Sequence, residues 1–179
     1  NYNISEGTHN YCINTYLDPA GWTCDKLYCH TYNATTTQVT NSFNAGRTIG
    51  IYSGHGYSGG WADGPAFDQN NVRALVNTVY PLVHSYACST GPFDQTECFG
   101  ETWVVDDHGA TAFFGASLSS YWTEDDILEK AMFDGWYLYG TDRVGTMIDF
   151  GQYELWLYMG EGSFTRMYYE MYNLMGDPA

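Results

Sequence analysis

Three short apolar runs, each preceded by a stretch of helical pattern, constrain this chain more than any other feature. Thr48-Ile49-Gly50-Ile51-Tyr52, Pro81-Leu82-Val83-His84-Ser85-Tyr86-Ala87 and Ala110–Gly115 are short and continuously apolar, as strands buried on both faces are. Before the first, Thr35-Thr36-Thr37 can cap a helix through Phe43 that Gly46 stops. Before the second, Asn70–Thr78 has helical spacing, and before the third a helix over Glu97–His108 is stopped by Gly109. The order α-β-α-β-α-β predicts an α/β fold: a mainly parallel sheet flanked by helices and joined by right-handed crossovers. The last third reads as helical. Thr123-Glu124-Asp125-Asp126 offers a capping hydroxyl and first-turn acids to a helix over Ile127–Leu138. Tyr153–Met159 and Phe164–Leu174 set aromatic and Met residues at the spacing of packed helix faces. Residues 1–35 show only weak periodicity, and no repeat or linker divides the chain, so a single domain over 1–179 is expected.

Charge narrows the function classes. The chain holds 21 Asp and Glu against 6 Lys and Arg, a formal net charge of -15, which excludes the clustered cations that bind a phosphate backbone. No nucleic-acid partner is expected. No apolar stretch approaches the ~20 residues of a membrane span. The chain opens at Asn1 without a charged-then-apolar leader, and is expected to begin inside a longer precursor. Five cysteines, Cys12, Cys24, Cys29, Cys88 and Cys98, suit an oxidising compartment and one or two disulfides, hence a secreted or cell-surface protein.

His55 and Cys88 each sit just past the carboxyl end of a predicted strand, where open α/β sheets hold ligands and reactive groups. A cysteine nucleophile needs a thiolate, a nearby imidazole, and backbone N–H groups free to meet an oxyanion. Gly54-His55-Gly56 and Cys88-Ser89-Thr90-Gly91 supply those parts. The other histidines lack flanking glycines on both sides. No CxxC or HExxH spacing supports zinc.

Beyond these parts, the segments Ile51-Tyr52-Ser53-Gly54-His55-Gly56, Ser85-Tyr86-Ala87-Cys88, Glu97-Cys98-Phe99-Gly100-Glu101, Gly109–Ser117, Ser120-Tyr121-Trp122-Thr123-Glu124-Asp125 and Leu174-Met175-Gly176-Asp177-Pro178 follow one another in a set order. In that order the chain resembles the gingipain-like cysteine peptidases of family C25, from about Asn33 to its end. The resemblance implies a caspase-like three-layer sandwich. It implies Cys88 as nucleophile, His55 as catalytic histidine, and the N–H groups of Gly56 and Cys88 as the oxyanion hole. Ser5-Glu6-Gly7 resembles the segment whose carboxylate orients the histidine, which makes Glu6 the candidate.

Trp122-Thr123-Glu124-Asp125 resembles the pocket segment of lysine-specific members, in which the Trp walls the pocket and an acid meets the substrate ammonium. Trp122 and Asp125 are carried over on that match. A buried ammonium needs a fixed acid, because unpaired it costs several kcal/mol. The implied substrates are proteins and peptides cut after basic residues, Lys before Arg. A full member also has a preceding α/β subdomain and a following immunoglobulin-like domain, so the chain would be the subdomain bearing His and Cys, bound to other fragments of its precursor. No cofactor is implied for catalysis. Calcium is a structural expectation of the family, with Asp106-Asp107 and Asp125-Asp126 offering oxygens but no defined site. Cys98 is expected as a free core thiol, leaving at most one disulfide among Cys12, Cys24 and Cys29. The competing reading, a non-catalytic self-assembling fragment, draws on the 17 tyrosines as interface material.

Overall fold

The structure is a computed structural model that describes residues 1–176; Asp177-Pro178 of the last quoted segment lie outside the described residues. The chain forms two compact units. A sheet unit comprises Asp25–Ser120 and the closing strand, and a helical unit comprises Asn1–Cys24 and Tyr121–Met171.

In the sheet unit, helices α2 (Cys29–Tyr32) and α3 (Thr36–Asn44) lead into strand β1 (Ile49–Ser53). Three two-residue strands follow, β2 (Gly56–Tyr57), β3 (Gly60–Trp61) and β4 (Phe67–Asp68), forming a small antiparallel sheet of their own. Then come α4 (Gln69–Arg73), β5 (Leu82–Tyr86), α5 (Phe99–Val105), β6 (Ala112–Ala116) and β7 (Tyr172–Gly176). The main sheet has the order β1-β5-β6-β7, with the first three strands parallel and β7 antiparallel to β6. This is the mainly parallel sheet flanked by helices that the alternating pattern predicts.

The strand period of two sorts the side chains. Val83, Ser85 and Phe113 face a core that also holds Phe43, Phe67, Phe99 and Trp103, while His84, Tyr86, Phe114 and Tyr172 form a ring cluster on the other side. Burial holds the His84 imidazole uncharged, its pKa down at about 4.

The α3 cap is the expected one: Thr35 Oγ1 accepts from Gln38 N–H while the Gln38 side chain accepts from Thr35 N–H. Two helices stop earlier than their spacing predicts. Helix α4 ends at Arg73, because Val76 N–H donates to Asn44 Oδ1 and the Asn77 side chain donates to the carbonyls of Val79 and Gly109. Helix α5 ends at Val105, since Ala110 N–H returns to the Trp103 carbonyl. Leu174 is in β7 rather than in a helix, because pairing with β6 makes the segment from Tyr172 extended.

The helical unit contains α1 (Tyr2–Cys12), a π-helical turn Ile13–Leu17, α6 (Trp122–Tyr139), α7 (Val144–Met159) and α8 (Ser163–Met171). Helix α6 begins at Trp122 with Tyr121 as N-cap, so Thr123 is not its cap. The Tyr168 hydroxyl accepts from Tyr121 N–H at 2.7 Å instead. The α1 helix is a correction to the irregular segment expected over residues 1–35, and its contact with α6 explains why it was hidden. That seam is polar: Thr8 bonds Asp126, His9 Nδ1 stands 2.7 Å from Glu129 Oε1, and Tyr16 donates to Asp134 at 2.5 Å. Lys130 pairs with Asp126 in the same seam.

Burial opposes charge on His9, but the charge and hydrogen bond of Glu129, with Glu6 farther off, outweigh it and raise its pKa. A raised folded pKa gives stability that is fully present below the ordinary histidine range and is lost as pH rises through the folded value. The helical unit is therefore expected to melt at lower temperature as pH climbs from ~6 past neutrality. Substitution of His9 by Gln should flatten that slope, as followed by circular dichroism. Cys12 is buried in this seam, where burial and then the charges of Glu129 and Asp134 push its thiol pKa up. Cys12 and Cys29 are both free thiols in the structure. Cys29 Sγ donates to the Ala34 carbonyl.

Candidate active site

Adjacent parallel strands deliver the two candidate reactive residues to one end of the sheet. Ser53, the last residue of β1, is in register with Tyr86, the last of β5, and Gly54 N–H donates to the Tyr86 carbonyl at 3.2 Å. His55 and Cys88 each follow two residues beyond these partners. His55 is exposed and Cys88 half-buried, its Sγ lying 3.6 Å from the Ser120 carbonyl.

Gly56 locks the two loops together. A Cβ built on it would stand 2.8 Å from the Cys88 carbonyl oxygen, 2.8 Å from Thr90 Cγ2 and 2.9 Å from Ala87 Cβ. Only a residue without a side chain lets the backbone after His55 lie against the backbone of Cys88. The structure thus brings Gly56 against the Cys88 backbone, with His55 next to it in the chain at the same end of the sheet.

The turn after Cys88 is held from below. Ser89 takes a left-handed φ of 52°, uncommon for a residue with a side chain, and its N–H donates to the Leu118 carbonyl. Thr90 is fully buried: its hydroxyl pairs with Ser85, its carbonyl accepts from Gly100 N–H, and Ser85 Oγ accepts from Trp61 Nε1. Gly91 N–H donates to the Ala116 carbonyl. Trp61, Ser85 and Thr90 are therefore parts of this support that sequence reasoning missed. Their signal was faint, since each acts by hydrogen bonding rather than by a motif.

Glu6, Trp122 and Asp125 belong to the helical unit. Glu6 is half-buried on α1. Trp122 opens α6 and is half-buried; Asp125, one turn on, is 5% exposed and accepts from the Tyr168 hydroxyl at 3.3 Å. Burial first, and then the Asp125 charge, raise the Tyr168 pKa, which keeps that hydroxyl a donor. Cys98 is a free buried thiol whose pKa burial raises.

Among the described residues no three His, Cys, Asp or Glu side chains gather as a metal site. Asp126 is engaged by Thr8 and Lys130, and Asp106 Oδ1 accepts from His108 N–H. No helix among the described residues is long and apolar enough to cross a membrane.

Residues 4–179 match the family model described as Peptidase family C25. The Lys-gingipain of Porphyromonas gingivalis is 33% identical over 131 residues, covering 70% of this chain and 7% of that protein. A solved structure titled as that of a protease superposes with a TM-score of 0.84 at 24% identity, over 99% of this chain and 45% of the other. The Arg-specific cysteine proteinase gingipain R superposes at 0.81 with 20% identity, over 97% and 41%. These two likenesses show the fold. The chain belongs to peptidase family C25. It spans less than half of the solved chains and a small part of the curated relative.

Proposed function

We propose that this chain is the His- and Cys-bearing part of a secreted or cell-surface cysteine endopeptidase that cleaves after basic residues, Lys before Arg. The observation that supports it most is the close fit of Gly56 against the Cys88 backbone, at the ends of two paired strands that His55 and Cys88 each follow by two residues.

In this reading the Cys88 sulfur, having given its proton to His55, attacks the scissile carbonyl to form a thioester acyl-enzyme. The His55 imidazolium returns the proton to the leaving amine. Water, activated by the same imidazole, then releases the acid and restores the thiol. The N–H groups of Gly56 and Cys88 meet the oxyanion in both steps. Glu6 is the proposed orienting carboxylate. Asp125, buried and already fixed by Tyr168, is the proposed partner of the substrate ammonium, with Trp122 as the pocket wall. The relative named for Lys favours this order of specificity. Calcium, where bound, would be structural, and no step uses it. Other fragments of the same precursor are the proposed partners.

The test is labelling by peptidyl acyloxymethyl ketones that differ only in the residue beside the ketone. Labelling at Cys88 by the lysyl probe, stronger than by the arginyl and absent with the norleucyl, is expected. Asp125→Asn should lower the lysyl rate at least ~30-fold, as expected when one partner of a buried charge pair is removed. Equal rates for all three probes would remove the specificity. Failure to label Cys88, with self-association on a sizing column, would favour an assembling fragment.

A further inference from the structure

The His55 main chain is held by a carboxylate in its own unit. Asp63 Oδ1 accepts from His55 N–H at 3.0 Å and lies 2.9 Å from the Tyr52 hydroxyl. That hydroxyl also sits 2.8 Å from the His55 carbonyl and 2.5 Å from the Asp63 carbonyl, so its one proton is shared among three acceptors. Ala62 N–H donates to the His55 carbonyl at 2.9 Å. Both polar groups of the His55 backbone are thereby tied to the 62–63 segment.

The tie is anchored in the core. Tyr52 is 5% exposed and stacks on Trp61 with ring centroids 4.5 Å apart and an interplanar angle of 10°. Trp61 in turn bonds Ser85, the residue whose hydroxyl meets Thr90 below Cys88. One chain of contacts, Asp63–Tyr52–Trp61–Ser85–Thr90, joins the two loops beneath their reactive ends. Gly54 completes it, because a Cβ there would collide with the Tyr52 hydroxyl and Asp63 Oδ1.

We infer that Asp63 and Tyr52 are positioning residues of the peptidase reaction: they fix the His55 backbone so that its imidazole is presented to Cys88. The inference rests on the dyad reading above. A side-chain oxygen accepting from one backbone N–H and one hydroxyl ties the loop at two points, and misplacing a reacting group by ~1 Å can cost ~100-fold.

The experiment measures the rate of Cys88 alkylation by iodoacetamide from about pH 5 to about pH 9. It compares the whole chain with His55→Ala, Asp63→Ala, Asp63→Asn and Tyr52→Phe, each checked for native circular dichroism. His55→Ala defines the His-dependent part of the profile. Asp63→Ala is expected to lose at least ~10-fold of that part, Asp63→Asn to retain most of it because its amide oxygen still accepts, and Tyr52→Phe to fall between.

A purely structural role would lower the melting temperature and leave the profile unchanged, and a profile for Asp63→Ala equal to wild type would overturn the inference. Should Asp63→Ala fail to fold, Tyr52→Phe, which keeps the stacked ring, decides alone: a wild-type profile there overturns it. A His55→Ala profile identical to wild type removes the dyad itself, and the positioning role with it.

Discussion

Cys88→Ala is expected to abolish peptide hydrolysis, a loss of at least ~10⁴-fold, while leaving the circular dichroism spectrum and melting temperature near those of the parent chain. The two halves of that expectation have different origins. Turnover vanishes because a methyl group cannot form an acyl-enzyme. Stability survives because Cys88 is only half-buried and its sulfur makes one long contact, to the Ser120 carbonyl. His55→Ala should fall by ~10²–10⁴-fold, the usual range for removing a general acid–base group. The measurement is hydrolysis of a lysyl amide by this chain, alone and with the fragments proposed as its partners. Full activity in Cys88→Ala would rule out the sulfur as nucleophile.

The second large effect is expected from Gly56→Ala. The added methyl would meet the Cys88 carbonyl, the Thr90 methyl and the Ala87 methyl, all under 3.0 Å. None can yield cheaply: one is backbone, and the other two belong to fully buried residues. The loops must separate, with an expected loss of ~100-fold in turnover and about 1–3 kcal/mol in stability. Gly59→Ala is the control on the same small sheet. Its methyl would press only on the ring of Tyr57, an exposed side chain that can swing away. Equal losses from both substitutions would mean that the hairpin, rather than the junction with Cys88, is what matters.

Strands β1, β5 and β6 were legible within two residues at each end because each is a short run with no polar alternate, β5 and β6 being buried almost throughout. The candidate site was legible where backbone geometry demands glycine: His55, Gly56 and Cys88 stood out by their neighbours. Other parts were hidden for stated reasons. Helix α1 escaped because it meets α6 through Thr8 and His9, with Tyr16 of the following π-helical turn alongside, and hydrogen-bonded seams leave no apolar period to read. Tyr172-Asn173-Leu174 continued the helical spacing of α8, and only the open edge of β6 made it extended. Asp63 was invisible because it acts on the main chain of a residue eight positions back, across a turn that carries no pattern of its own.

Ala116 and Tyr172 are cross-strand partners, so the chain leaves the sheet after β6, builds α6, α7 and α8, and returns to the same spot. Topologically, residues 117–171 are a closed excursion inserted into a β-hairpin. Closing such a detour costs entropy that grows only with the logarithm of its length, about 0.6 kcal/mol per doubling, so the detour could lengthen or shorten through descent with little thermodynamic resistance. Kinetically the burden is heavier: the edge strand cannot zip onto its neighbour until the intervening helices have collapsed enough to bring it home. Until Tyr172–Gly176 pairs with it, β6 presents an open flank, the kind of edge that another chain can pair with.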